Sequence, residues 1–470
     1  MSRIRWVAVV AVACGGAFGA WQLVGGGGAR PNVLLITLDT LRADRLGCYG
    51  GPAGTPHIDR LAAEGTLFED AVCPMPMTRP AHFSIFTTLA PRQHGVVHNA
   101  ASLPADVTTL PEVLREAGYA TAGFASVWLL NLDSGVARGF DHFDAPAAGG
   151  RGLAADLVQR ATAWLQQRAG GAPFFLWVHI FDPHLPYEPP AAFVPPAESA
   201  ALAQVTQVSW WTLSTAAEQN GGDLSAPMFE RAKALYDGEI RATDAAVGAL
   251  LDGLRASGTL DDTVVALTAD HGECFEHGIF FEHATCLYEG AARVPLIVRY
   301  PPAVPAGVRR RGLVEHVEIA PALLALAGVD VPEAFGTRGV FAADDRDRFT
   351  VVQHPLPLPE VVEHRRHIAD GLRSVAGVPV VKPTLGEGRY AVRSRDWKLL
   401  IVPGAADVLY DLRADPAEVN DVAARHPDVV GRARSALVTW LRDHPVRGDG
   451  AELPISPEFR ERLRMLGYDR

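Results

Sequence analysis

Two short apolar runs of the same design constrain this chain most. Val33–Leu38 and Val264–Ala269 are nearly continuous apolar stretches, and each stops at an aspartate, Asp39 and Asp270. Runs of this length without polar alternation read as strands buried on both faces, the kind found inside a sheet covered by helices. Phe174–Phe181 and Val294–Val298 are two more. Helical stretches lie between and beyond them at Pro80–Leu89, Leu110–Ala117, Leu153–Gln167, Ala232–Leu254 and His316–Ala327, with Gly118 and Gly328 as stops. The alternation predicts an α/β/α sandwich with a central mixed, mostly parallel sheet. Open α/β sheets collect ligands outside the carboxyl ends of their strands. Asp39 and Asp270 stand at such ends although more than 200 residues separate them, so they are candidates for one site.

After about Asp330 the periodicity gives way to a Pro- and Arg-rich region. Short antiparallel strands are then expected at Tyr390–Arg393, Trp397–Ile401 and Val408–Asp411, with a helix at Pro427–Arg442. This divides the chain into a catalytic domain over residues 31–335 and a smaller C-terminal α+β domain with a short antiparallel sheet over 336–470. At the other end, Arg3 and Arg5 precede an apolar stretch from Trp6 to about Val24 and a Gly-rich linker. Residues 1–30 thus read as an export signal or a retained membrane anchor, making the protein exported, periplasmic or membrane-attached. With 48% hydrophobic and 21% charged residues the composition is globular, and a net charge of -11 excludes a basic nucleic-acid footprint. The 5 cysteines form no Cys-x-x-Cys pair; Cys274 and Cys286 could form a disulfide or remain buried thiols.

Asp270-His271 is the sharpest local signal. A carboxylate and an imidazole at a strand end suit a divalent metal, with Asp39 supplying a second carboxylate and Thr40 standing beside it. The bland reading makes both aspartates ordinary turn residues. Thr78-Arg79-Pro80-Ala81-His82 opens a helix. A hydroxyl there meets free N–H groups and the positive dipole end, and it becomes a nucleophile if a metal stabilises its alkoxide. An N-cap threonine followed by proline explains the same residues without chemistry. His184 and His283 adjoin segments already assigned to the site. Either could bind a nonbridging oxygen of an ester or hand a proton to its leaving group.

At these residues the chain resembles the sulfatases of the alkaline phosphatase superfamily. Pro31-Asn32-Val33-Leu34-Leu35-Ile36-Thr37-Leu38-Asp39-Thr40 looks like the family's first metal segment, and Thr55-Pro56-His57-Ile58-Asp59 like the stretch that follows it. Leu267-Thr268-Ala269-Asp270-His271-Gly272-Glu273 resembles the second metal segment, and Tyr288-Glu289-Gly290 through Val298 the strand beyond. Leu409-Tyr410-Asp411-Leu412-Arg413-Ala414-Asp415-Pro416 is similar to the small C-terminal sheet.

The departures bear on function. Family sulfatases carry Cys or Ser where this chain has Thr78, and that residue becomes formylglycine. Threonine has no known route to formylglycine, so none is expected here. The family arginine behind the nucleophile is His82, the lysine and histidine of a later sulfate-binding segment align with Ser126 and Trp128, and His283 falls at the leaving-group lysine. His184 falls at a family histidine. The resemblance implies a metal-dependent hydrolase of oxyanion esters with one divalent ion (Ca, Mn or Zn) on Asp39, Thr40, Asp270 and His271. Three readings stay open. They are phosphoryl ester hydrolysis or transfer through Thr78, sulfuric ester hydrolysis by a variant mechanism, and a weakly catalytic or inactive metal-binding descendant. The partner expected is a small-molecule or glycan- or lipid-linked anionic ester.

Overall fold

The computed structural model describes residues 30–447, apart from residues 148, 169–170, 337, 344–346, 355–370, 382–388 and 402–405. The expected leader over residues 1–30 therefore lies, except for Arg30, outside the described residues. Among those described, no helix is long and apolar enough to cross a membrane.

Eight strands form the central sheet: β1 (Asn32–Leu38), β2 (Thr66–Val72), β3 (Ala120–Ala125), β4 (His142–Asp144), β5 (Phe174–Ile180), β6 (Thr263–Ala269), β7 (Arg293–Arg299) and β8 (Val308–Glu315), in the order β8-β2-β7-β6-β1-β5-β3-β4. All pairs are parallel except β2–β7 and β7–β6, so the sheet is mixed and mostly parallel, as the runs imply. β1 sits between β5 and β6, and Val33 to Ile36 have no exposed surface. This burial on both sides is why its sequence does not alternate. Leu38 is paired with Ile180 on one side and Ala269 on the other. The carboxyl ends of the three strands are therefore flush, and Asp39 and Asp270 emerge at one level. A slip of one residue would turn every side chain of β1 to the opposite face.

Helices cover both faces, notably Thr78–Thr87, Ala154–Gln167 and the long Ala226–Ala256, which begins with proline in its first turn. The expected helices at Leu110–Ala117 and His316–Ala327 correspond to Leu110–Glu116 and to a 3-10 turn followed by Ile319–Leu326. Sequence reading passed over β2 and β8 because both carry charge. Glu69 of β2 pairs with Arg309 at 2.9 Å and Arg311 at 2.8 Å on β8, and such charges protect a sheet edge from pairing with other chains.

A second sheet of four antiparallel strands adds Thr350–Gln353 to the three expected C-terminal strands, whose bounds are as read. The Pro427–Asp443 helix covers it with Val429, Ala433 and Leu437, one turn apart. Lys398, wholly buried, reaches Glu289, in the short helix Glu289–Ala292 ahead of β7, at 3.1 Å and Glu418, beyond the last C-terminal strand, at 2.9 Å. Arg393 adds Glu289 at 3.0 Å and Asp70 at 2.9 Å. Cys274 and Cys286 are joined as a disulfide across the hairpin formed by Cys274–Glu276 and Ile279–Glu282; Cys48 and Cys73 are free.

Candidate metal and nucleophile site

Asp39 and Asp270 follow β1 and β6 directly, each tied to a neighbouring strand by its backbone. Asp39 N–H donates to the Ile180 carbonyl at 2.8 Å, and Asp270 N–H to the Leu38 carbonyl at 3.3 Å. Thr40 turns the chain away with a positive φ of 51°, a conformation non-glycine residues avoid. Its N–H donates to Asp270 Oδ1 at 3.3 Å, while Tyr236 clamps its carbonyl at 2.7 Å. Asp39, Asp270 and His271 each offer one ligand atom within 4.8 Å of the others, and all three are fully buried.

The direction of each imidazole follows from what its neighbours can accept. His271 Nδ1 lies 3.0 Å from the Gly272 carbonyl. A carbonyl only accepts, so Nδ1 carries the proton and Nε2 the lone pair. That lone pair lies 3.6 Å from Asp270 Oδ2 and 3.9 Å from Asp39 Oδ1. His82 Nδ1 likewise donates to the Thr78 carbonyl at 2.8 Å, leaving Nε2 to accept from Thr37 Oγ1 at 3.0 Å. Thr37 Oγ1 then accepts from Trp177 Nε1 at 3.0 Å and from His179 Nδ1 at 3.3 Å. His179 is left with a lone pair on Nε2 facing Asp39 Oδ2 at 3.5 Å.

Acceptor therefore faces acceptor around one small volume. Asp39 Oδ1 and Oδ2, Asp270 Oδ2, His271 Nε2 and His179 Nε2 are buried without hydrogen-bond partners, as are the hydroxyls of Thr40 and Thr78. Buried polar atoms are normally satisfied, and buried carboxylates are paired or bound to cations. The donor set of two carboxylates and a neutral imidazole fits a divalent cation such as manganese, zinc or calcium. Electrostatics agree. Burial, then Glu273, holds Asp39 well above the usual carboxylate range, and the Thr78 hydroxyl works against that shift. Burial, then Asp39, does the same to Asp270. Burial, then His283, pushes His271 well below the usual imidazole range, keeping its ligand nitrogen free of a proton.

Thr78 is the first residue of its helix, and the N-cap is Met77, which makes no capping bond. The simple capping account of Thr78 therefore does not hold. Its hydroxyl is free for other work at the positive end of a helix in which every residue is buried. Arg79 N–H is satisfied by Asn99 at 3.0 Å. His82, standing one turn later, is held to a pKa of about 4 by burial and is 3.6 Å from Asp270 Oδ2. It supports the site as a neutral ring, not as the cation that the family's arginine would be.

His184 and His283 come together beside His271. Their rings are 5.2 Å apart, and His283 stacks on His271 at 4.3 Å. Burial, then His283, keeps His184 well below the usual imidazole range. The aligned cation positions carry no charge: Ser126 Oγ accepts Phe181 N–H at 2.7 Å, and Trp128, two residues on, is fully buried. Sequence reading gave no role to Thr37, His179 or Glu273. Glu273 was within reach, since an acid two residues beyond a strand-end Asp-His pair must lie beside the same volume.

Comparison with known proteins places this geometry. Residues 31–329 match the Sulfatase family model. The chain is 25% identical to the N-acetylglucosamine-6-O-sulfatase of Bacteroides thetaiotaomicron, covering 84% of this chain and 82% of that protein. BT4656, solved with its substrate D-glucosamine-2-N,6-O-disulfate, superposes with a TM-score of 0.72 at 22% identity, over 90% of this chain and 100% of that one. The phosphonate monoester hydrolase of Agrobacterium radiobacter superposes with a TM-score of 0.67 at 22% identity, over 88% and 96%. The chain is a member of the sulfatase family, a metal-binding hydrolase of sulfate- or phosphate-type esters.

Proposed function

We propose that the protein hydrolyses sulfuric esters carried on a small molecule or glycan, by a variant mechanism in which Thr78 is the nucleophile. Membership of the sulfatase family carries the substrate class. The Thr78 hydroxyl, which faces Asp39 at a helix start without a side-chain cap, supports the nucleophile. A divalent ion held by Asp39, Asp270 and His271, with Thr40 beside them, would supply positive charge to the alkoxide and the nonbridging oxygens. Thr78 Oγ gives its proton to His283 Nε2 and attacks sulfur, the bond from sulfur to the leaving-group oxygen breaks, and His283 passes that proton to the departing oxygen. His184 contacts a nonbridging oxygen, and the helix amino terminus faces the developing charge. Water then attacks sulfur in the Thr78 ester, inorganic sulfate leaves, and Thr78 recovers its proton. Threonine needs no conversion to formylglycine for this route.

A second reading, phosphoryl ester hydrolysis or transfer, is favoured by Thr78 itself, because a phosphothreonine is opened by in-line water attack. The apolar segment from Trp6 to about Val24 supports an exported or membrane-anchored enzyme. Turnover of 4-nitrophenyl sulfate, 4-nitrophenyl phosphate and bis(4-nitrophenyl) phosphate in Ca, Mn and Zn separates the readings. Sulfate hydrolysis lost in Thr78→Ala is the expected result. Turnover of phosphoryl esters alone would transfer the assignment to the second reading, and equal turnover by Thr78→Ala would remove the nucleophile.

A further inference from the structure

Glu273 is 1% exposed, directly beside the metal-binding residues. Its Oε1 is 3.2 Å from His283 Nδ1, and Tyr187 Oη donates to its Oε2 at 3.4 Å. Its carbonyl accepts from Arg42 Nη1 at 2.9 Å, so the backbone that carries it is fixed as well. A carboxylate only accepts, which makes Nδ1 the proton-bearing nitrogen of His283 and turns Nε2 away from Glu273. The ring is held from two further sides. It stacks on His271 at 4.3 Å, and it lies in a segment whose ends, Cys274 and Cys286, are joined by the disulfide.

A purely structural Glu273 is poorly accounted for. Its charge acts on Asp39, adding to the repulsion among buried carboxylates, and glutamine would serve Tyr187 and Arg42 without that penalty. The carboxylate is better explained by accepting on both oxygens at once, from the imidazole N–H and from Tyr187, where an amide offers one such oxygen and one donor. Carboxylates hold ligand histidines in this way, and removing them typically lowers activity about 10–100-fold.

We propose that Glu273 is a positioning residue that fixes the tautomer and orientation of His283, so that Nε2 is presented to the leaving-group oxygen of the ester. This rests on the assignment of His283 to the leaving group made above. The experiment compares wild type, Glu273→Gln, Glu273→Asp and His283→Gln on a series of aryl esters, from 4-nitrophenyl to unsubstituted phenyl, of whichever oxyanion is turned over. Glu273→Gln is expected to lower kcat for the phenyl ester about 100-fold while changing the 4-nitrophenyl ester less than about 5-fold, with KM held within about 2-fold. Glu273→Asp, whose shorter carboxylate falls back from the ring, should lie between. His283→Gln should show the same selectivity. Nitrogen NMR of the histidine rings in the full-length, zinc-loaded protein gives a readout that needs no turnover: the Nδ1–H tautomer of His283 in wild type, lost in Glu273→Gln.

Selective loss in His283→Gln with uniform or no loss in Glu273→Gln overturns the role of Glu273 alone. Uniform loss in His283→Gln overturns the leaving-group assignment and this inference with it. An unchanged His283 tautomer in Glu273→Gln overturns the inference on structural grounds, whatever the kinetics.

Discussion

Removing the divalent ion should expose a pH dependence whose sign follows from the site. With no cation present, Asp39 and Asp270 hold a proton well above the usual carboxylate range because both are buried and face each other. In the unfolded chain both are ionised above about pH 4. The folded state then binds more protons than the unfolded one. Its stability falls as pH rises, by about 1.4 kcal/mol per pH unit for each proton retained. His82, His179 and His271 are depressed by burial and give the opposite slope, but only below the ordinary imidazole value of about 6.5. The informative window is therefore about pH 6.5 to 8.5. Within it Glu318, held near 7, and Glu239, held near 8, also titrate. Both act with or without the cation, so they cancel in the difference between loaded and stripped protein. A cation at about 100 times its Kd contributes about 2.7 kcal/mol. Because it takes the place of the proton, its stabilisation should widen as pH rises. Thermal unfolding with saturating manganese, calcium or zinc, and again with chelator, measures the gap at each pH, with Asp270→Asn as the control expected to abolish it. A gap that narrows with rising pH, or survives whole in Asp270→Asn, would refute the reasoning.

Other outcomes follow from single features. Reduction of the denatured protein should expose two further thiols, those of Cys274 and Cys286, beyond the ones that titrate without reductant, Cys48 and Cys73 among the described residues. Replacing both by serine should lower stability by roughly 3 kcal/mol in a denaturant titration. Lys398→Met leaves Glu289 and Glu418 facing each other in the interior and should destabilise by about 3–5 kcal/mol, read from the thermal midpoint. Glu69→Gln removes only exposed arginine partners on β8 and should change stability by less than about 1 kcal/mol.

The sequence was most legible where burial leaves little choice. β1, β5 and β6 are apolar enough to be recognised individually, and the rule that ligands gather at strand ends brought Asp39 and Asp270 together before any coordinates. β3, written Ala-Thr-Ala-Gly-Phe-Ala, has Thr121 as its single β-branched residue and a glycine in its middle, and the arginines of β8 read as loop. The site was partly legible for a similar reason. Metal-type residues announce themselves by type, whereas Thr37 and His179 matter through the direction of one hydroxyl proton and its hydrogen-bond chain. Thr78 was visible at the helix start, but only the structure separates a capping threonine from one whose hydroxyl is left over. Glu273 closes the Leu267–Glu273 stretch, yet its partner is ten residues away on the far side of a hairpin.

The central place of β1 also sets an order of events during synthesis. It is the first of the described strands to be made, yet both its neighbours come much later, with Thr37 paired to His179 and Thr268. Thr40 and Asp270 are separated by 230 positions. At typical rates of translation that interval is roughly 10–50 s, and for about the first 140 residues of it, until β5 is made, a strand apolar on both faces has no partner on either side. Pairings at this separation are slow to form and leave the nascent chain prone to association. The cation site is thus assembled only after β6 has docked, and ion capture would mark the closing of β1 between its two neighbours.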